Sequence, residues 1–212
     1  MIALAVERLL RGEAADAPGR RDCVVLGVAG SALLGAALGG SSGQPWLGVF
    51  AAIKVPLLLL CSTALCVPSF FVINTLLGLR EDFSAACRAL LAAQATLGLA
   101  LGALAPVTVF LTLSVGDPYL LTLFDAVLFA AATWAGHQVL SRHYRPLLQR
   151  DPRHRYALRA WIVLYAFAGM QLAWVLRPFR GTEGLPVQFL RPEAFEQNAY
   201  LVLIEHALRL WQ

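Results

Sequence analysis

Three ionisable side chains stand where hydrocarbon would have to solvate them. Lys54, the only lysine of the chain, follows Phe50-Ala51-Ala52-Ile53 and precedes Val55-Pro56-Leu57-Leu58-Leu59-Leu60; Asp125 lies in the apolar run 119–140; Arg177 closes the run 157–176. A charge buried in a bilayer is costly. Such residues therefore face a bundle interior, a watery cavity or the interface, and they act either as paired structural groups or as sites that bind a substrate or relay a proton. Both readings of Lys54, Asp125 and Arg177 are open on sequence. Pro56 suits the first turn of a helix, which puts Lys54 at a helix start from which its amine could snorkel outward.

Other chemistry is sparse. The chain has no G-x-S-x-G elbow, no phosphate-binding P-loop, no H-E-x-x-H pair and no glycine fingerprint opening a helix. His137 and His143 lie six apart, a spacing that does not share a helix face, so they read with His154 as solvated or capping residues rather than metal ligands. Cys23, Cys61, Cys66 and Cys87 lack C-x-x-C spacing and read as packing residues. Asp117-Pro118 reads as a turn, and Glu81-Asp82 as caps for the helix that follows. No catalytic residue, metal set or cofactor is assigned.

The elements that position these groups follow from composition. Of the 212 residues, 58% are hydrophobic and only 14% charged, against about one-quarter charged in soluble domains. Five runs, 23–40, 55–79, 85–113, 119–140 and 157–176, approach or exceed the ~20 residues that cross a bilayer. Backbone amides in hydrocarbon must be satisfied within the segment, so the runs are helices. The fold class expected is an all-α integral membrane protein, a bundle of five transmembrane helices over 22–178. It is preceded by an interfacial helix and linker over 1–21 and followed by a loop and amphipathic helix over 179–212. In the first of these flanks Ile2, Val6, Leu9 and Leu10 share one face and Glu7, Arg8 and Arg11 another; in the second, Phe195, Tyr200 and Leu208 mix with Glu196, Glu205 and Arg209.

Packing and orientation are also written in the residues. Gly27, Ser31, Gly35 and Gly39 recur four apart on the first run, and Gln94, Gly98, Gly102 and Pro106 on the third, making two small-residue stripes that predict these helices as neighbours. Asn74, Gln94 and Gln171 read as polar glue between helices. Trp46, Tyr119, Trp161, Trp174 and Trp211 fall near run boundaries, as an aromatic belt would. Arg8, Arg11, Arg20, Arg21, Arg80, Arg88 and the connection 141–156 are basic, whereas 41–44 and 114–118 have no lysine or arginine. The positive-inside rule then predicts a cytoplasmic N-terminus and an outside C-terminus. Under that orientation Lys54, Asp125 and Arg177 share the outer half of the bundle. Arg142, Arg145, Arg150, Arg153 and Arg155, with Asp151 as the one nearby acid, form either a topology determinant or a surface for anionic lipid headgroups. No aromatic stacking platform accompanies them, which argues against nucleic acid.

Several segments resemble a family of bacterial multi-pass membrane proteins with no established activity. They are Lys54-Val55-Pro56-Leu57-Leu58-Leu59, Leu65-Cys66-Val67-Pro68-Ser69-Phe70-Phe71, Asn74-Thr75-Leu76-Leu77-Gly78 and Trp174-Val175-Leu176-Arg177-Pro178-Phe179. The five-span layout with an inside N-terminus is similar to that of the Yip1 superfamily, whose eukaryotic members organise vesicle membranes. The resemblance implies a bacterial inner-membrane location and carries no catalytic role to any residue. The expected function is a non-enzymatic scaffold or accessory subunit acting through membrane lipids and a protein partner or second copy. The alternative is a small transporter or channel that uses Lys54, Asp125 and Arg177.

Overall fold

The computed structural model describes residues 6–7, 19–40, 45–177, 179–180 and 188–190. Within them are five long helices and no strand: α1 (Arg20–Gly40), α2 (Pro45–Leu76), α3 (Phe83–Ser114), α4 (Pro118–Arg150) and α5 (His154–Leu176), with a 3-10 turn at Arg80–Asp82. All five are long and apolar enough to cross a membrane. The chain thus has the build of a multi-pass membrane protein. Of the expected interfacial helices, the C-terminal one lies outside the described residues, and of the N-terminal one only Val6 and Glu7, both helical, lie within them.

The helices outrun the apolar stretches. α2 begins at Pro45, ten residues before the run at 55, so Lys54 sits in the helix interior and Pro56 does not mark a start. α2, α3 and α4 continue through Pro56, Pro68, Pro106 and Pro146. α4 extends to Arg150, which turns most of the expected connection 141–156 into helix. The bend that remains, around Asp151 to Arg153, is closed by His154 and Arg155 amides donating to the Asp151 and Pro152 carbonyls at 3.1 Å each. α2 stops at Gly78, whose φ of +74° is one an L side chain rarely adopts. The Gly78 amide donates to the Thr75 carbonyl at 3.0 Å and the Leu79 amide to Asn74 at 2.7 Å, the paired bonds of a Schellman cap.

α1 is the hinge of the packing. It lies against both α2 and α3, α3 lies against α4, and α2 against α5, whereas the consecutive pairs α2–α3 and α4–α5 scarcely touch. The neighbour order is therefore α5, α2, α1, α3, α4. The predicted α1–α3 pairing holds, but the α1 stripe divides. A Cβ on Gly27 would stand 3.3 Å from the Ala95 Cα, and one on Gly98 would run into the Gly27 carbonyl; on Gly102 it would lie 2.7 Å from the Gly30 Cα. Further along, a Cβ on Gly35 or Gly39 would strike the carbonyls of Ala51 and Leu47 in α2. Ser31, fully buried, turns its hydroxyl onto the Gly27 carbonyl at 2.7 Å. Gly30, off the stripe, proves as close to α3 as Gly27 does, because two helices at backbone contact mesh over more than one row of residues.

Two apolar clusters close the arc. One gathers Phe70 of α2, Leu90 of α3, Tyr144 of α4 and Trp161 of α5 at the basic end; the other gathers Leu34, Val55, Leu101 and Ala132 farther along, with Phe179 packed against it. Trp161, 3% exposed and edge-on to Phe70 at 5.2 Å, belongs to this core and not to an interfacial belt. Trp46 is exposed in the first turn of α2, where a belt residue would be, and the side chain of Tyr119 and the whole of Trp211 lie outside the described residues.

Candidate functional site

The polar groups of the spans fall into two charged ends and the layer between them. In the layer, hydroxyls turn onto their own helices: Ser62 donates to Leu58 at 2.6 Å, Thr63 to Leu59 at 2.8 Å and Thr96 to Ala92 at 2.9 Å. That back-bonding satisfies the hydroxyl within its own helix, and Thr63 also meets the Tyr165 hydroxyl of α5. Asn74 does the same, donating to the Phe70 carbonyl at 2.8 Å, so it is not interhelical glue. Gln94 is: the Tyr165 hydroxyl of α5 donates to its Oε1 at 3.1 Å. This pair borders a cleft of about 250 Å³ between α3, α4 and α5, which Thr133 and His137 also line.

At the end away from the basic connection, Lys54, Asp125 and Arg177 each meet a different group. Asp125 is held by Arg180, four residues past α5; the guanidinium donates through Nη2 to Oδ1 at 2.7 Å and through Nε to Oδ2, and through Nη1 to the Thr112 hydroxyl of α3 at 2.7 Å. Both charged side chains are 18% exposed. One arginine thereby ties the segment after α5 to α3 and α4. A bidentate guanidinium–carboxylate pair is among the strongest side-chain contacts. Lys54, with none of its surface exposed, points its amine at the ring of Phe189, 5.3 Å from the centroid. Phe189 also meets Phe50 edge-on at 5.5 Å, so it lies across Phe50 and Lys54, one turn apart on α2. Snorkelling is thus replaced by burial under an aromatic ring. Arg177 stacks its guanidinium on Trp174, one turn back on α5. Sequence reasoning missed Arg180, and the available signal was short: Arg177 precedes a proline, takes an extended ψ of 156° and ends the helix, which turns the next arginine away from the helix axis.

The basic end carries a second constellation. Asp82 precedes α3 but makes no capping bond. It accepts instead from Arg150 at the end of α4 and from His154 Nε2 at 3.2 Å, joining the α2–α3 connection to α4 and α5. An ionised carboxylate only accepts, so Nε2 carries the proton. His154, expected to be solvated or capping, is fully buried, with its ring edge-on to Tyr144 at 5.7 Å. Asp151 takes three bonds from the Arg153 guanidinium, at 3.2, 3.0 and 2.7 Å, and one from the Arg153 amide at 2.8 Å, which hold the carboxyl below its ordinary pKa. Of the arginines expected to meet headgroups, Arg142, Arg145 and Arg155 are exposed at this end, while Arg150 and Arg153 are engaged by acids. Asp82→Ala should therefore lower unfolding stability in detergent by about 2 kcal/mol, and Asp151→Ala, at a solvent-screened pair, clearly less. Equal losses in chemical denaturation would mean that Asp82 joins nothing.

Among the described residues no group of three or more His, Cys, Asp or Glu side chains could hold a metal ion. All four cysteines are free thiols. No family model, no curated protein and no solved structure matches the chain.

Proposed function

We propose that the chain is a non-enzymatic multi-pass membrane protein that works as a scaffold or accessory subunit, holding a transmembrane partner against α4 and α5. The observation that carries this reading is how little of those helices the bundle covers. In their most apolar stretches only 11% of α4 and 6% of α5 is buried, against 39% for α1 and α3. α4 is held mainly by α3 and α5 mainly by α2, with the Tyr165–Gln94 bond linking α5 to α3. Trp134, inside the apolar stretch of α4, is 65% exposed, and Val127 and Val163 are 58% and 68% exposed. Tryptophan favours the membrane interface over the hydrocarbon layer, and it is a frequent anchor of protein interfaces. A solute path, by contrast, needs free polar groups converging at depth, and Asp125 is already engaged by Arg180 and Thr112.

Photo-cross-linking residues placed at Trp134 and Val163 should capture a discrete protein in cells, while purified protein in liposomes should pass no ions or protons above empty vesicles. Flux that vanishes in a folded Asp125→Asn variant would replace this reading with that of a small transporter or channel using Lys54, Asp125 and Arg177.

A further inference from the structure

Two cavities share a wall. The first, about 390 Å³, opens at the basic end between the start of α1, the 3-10 turn, the start of α3 and the end of α4. Its lining includes Arg20, Arg88, Arg150 and His143 together with Glu81 and Asp82, and its floor is apolar, with Ala89, Ala92 and Leu147. Asp82 is occupied by Arg150 and His154. Arg20 at the start of α1 and Arg88 on α3, both exposed, line this cavity together. His143 donates through Nδ1 to the Val139 carbonyl at 3.0 Å, while its buried Nε2 has no hydrogen-bond partner among the described residues. The second cavity, about 170 Å³, is a groove of almost wholly apolar lining between α1, α2 and α3. Cys23 and Leu91 line both.

The groove exists because α2 and α3 each grip α1 and not one another. It follows α1 from Cys23 to Ser31, about 12 Å of helix, and it faces the lipid, with Leu60 45% exposed and Ala64 exposed on its rim. A basic mouth that adjoins an apolar slot at Cys23 and Leu91 has the polarity profile of one lipid molecule. Arginine is suited to the mouth, since its planar fork matches phosphate oxygens, and basic pockets between transmembrane helices receive lipid headgroups.

We propose that this compound cavity holds a single phospholipid, with its phosphodiester between Arg20 and Arg88 and one acyl chain passing Cys23 and Leu91 into the groove of α1, α2 and α3. The mouth alone would accept free phosphate, and the groove alone any alkyl chain. Their junction selects a molecule with both.

The full chain in mild detergent, titrated with phosphatidylglycerol, diacylglycerol and inorganic phosphate under native mass spectrometry, separates these sources. Phosphatidylglycerol should bind at one per chain, roughly tenfold tighter than either of the others. Arg20→Gln with Arg88→Gln should weaken it roughly thirtyfold, as two near-surface charges at about 1 kcal/mol each imply. Arg80→Gln with Arg159→Gln, both exposed and outside the cavity lining, removes the same charge from the same end and should change binding less than about twofold. Ala64→Phe, which fills the groove from its exposed rim, should weaken the lipid about fivefold and leave phosphate unaffected. Equal losses from the two arginine pairs would overturn the proposal in favour of diffuse attraction. Phosphate binding as tightly as the lipid, with Ala64→Phe silent, would overturn the acyl assignment. Because Ala64→Phe alters no charge, it still tests the site if the arginine variants fail to fold.

Discussion

Gly98→Leu should abolish the packed state of the bundle, at a cost of about 3 kcal/mol or more. A side chain at this position would have to occupy the space of the Gly27 backbone, because even a Cβ would run into the Gly27 carbonyl. Backbone cannot swing aside as a flexible side chain can, so the α1–α3 spacing would open along its length. Gly116→Leu is the control, since among the described residues nothing lies within 4 Å of a Cβ there. In detergent the Gly98 variant should lose its cooperative unfolding transition or shift it strongly, with the Gly116 variant close to the parent. Similar behaviour of the two would mean that α1 and α3 do not meet at backbone distance.

Asp125→Ala should be the most damaging charge removal, lowering stability by about 3 kcal/mol. At 18% exposure the guanidinium of Arg180 is left with the Thr112 hydroxyl in place of a carboxylate. Arg180→Ala should cost a similar amount, because it strands the carboxylate. The apolar pair Asp125→Leu with Arg180→Met should recover part of the loss, and the double-mutant cycle should show strong coupling. Lys54→Met should be additive with Asp125→Leu, since the lysine amine faces Phe189. Coupling of Asp125 to Lys54 but not to Arg180 would refute the assigned pairing.

The five helices were legible because the bilayer imposes one length and one polarity on every crossing, and runs such as 85–113 differ from α3 by no more than two residues at either end. Boundaries failed in two ways: α4 beyond Leu140 continues as helix although charge rises there, and α2 ahead of Val55 is apolar from Trp46 to Ile53 but was cut at the single charge of Lys54. The glycine stripes named the α1–α3 pair, since small residues at a four-residue repeat have one common use in membranes. They could not say that Gly35 and Gly39 turn to α2, which depends on how α1 crosses two neighbours at once. Charge partners were the least legible. Lys54, Asp125 and Arg177 were grouped by depth, but depth along the membrane normal says nothing about position around the bundle, and the partner of Asp125 came from beyond the last helix. His154 and Asp82 were missed likewise, because a ring and a carboxylate from connections far apart in sequence meet only once α4 and α5 have been laid down.

That α1 grips α3 at backbone distance also sets a clock on biosynthesis. The first span leaves the ribosome well before its glycine-matched neighbour; Gly102 follows Gly30 by roughly seventy residues, several seconds of translation at ordinary rates. Throughout that interval α1, with its glycine-rich face, and α2 wait in the bilayer or beside the insertion machinery with one grip still unmade. The order of emergence, not only the final contacts, then decides which surface a waiting helix presents to chaperones, proteases and stray partners.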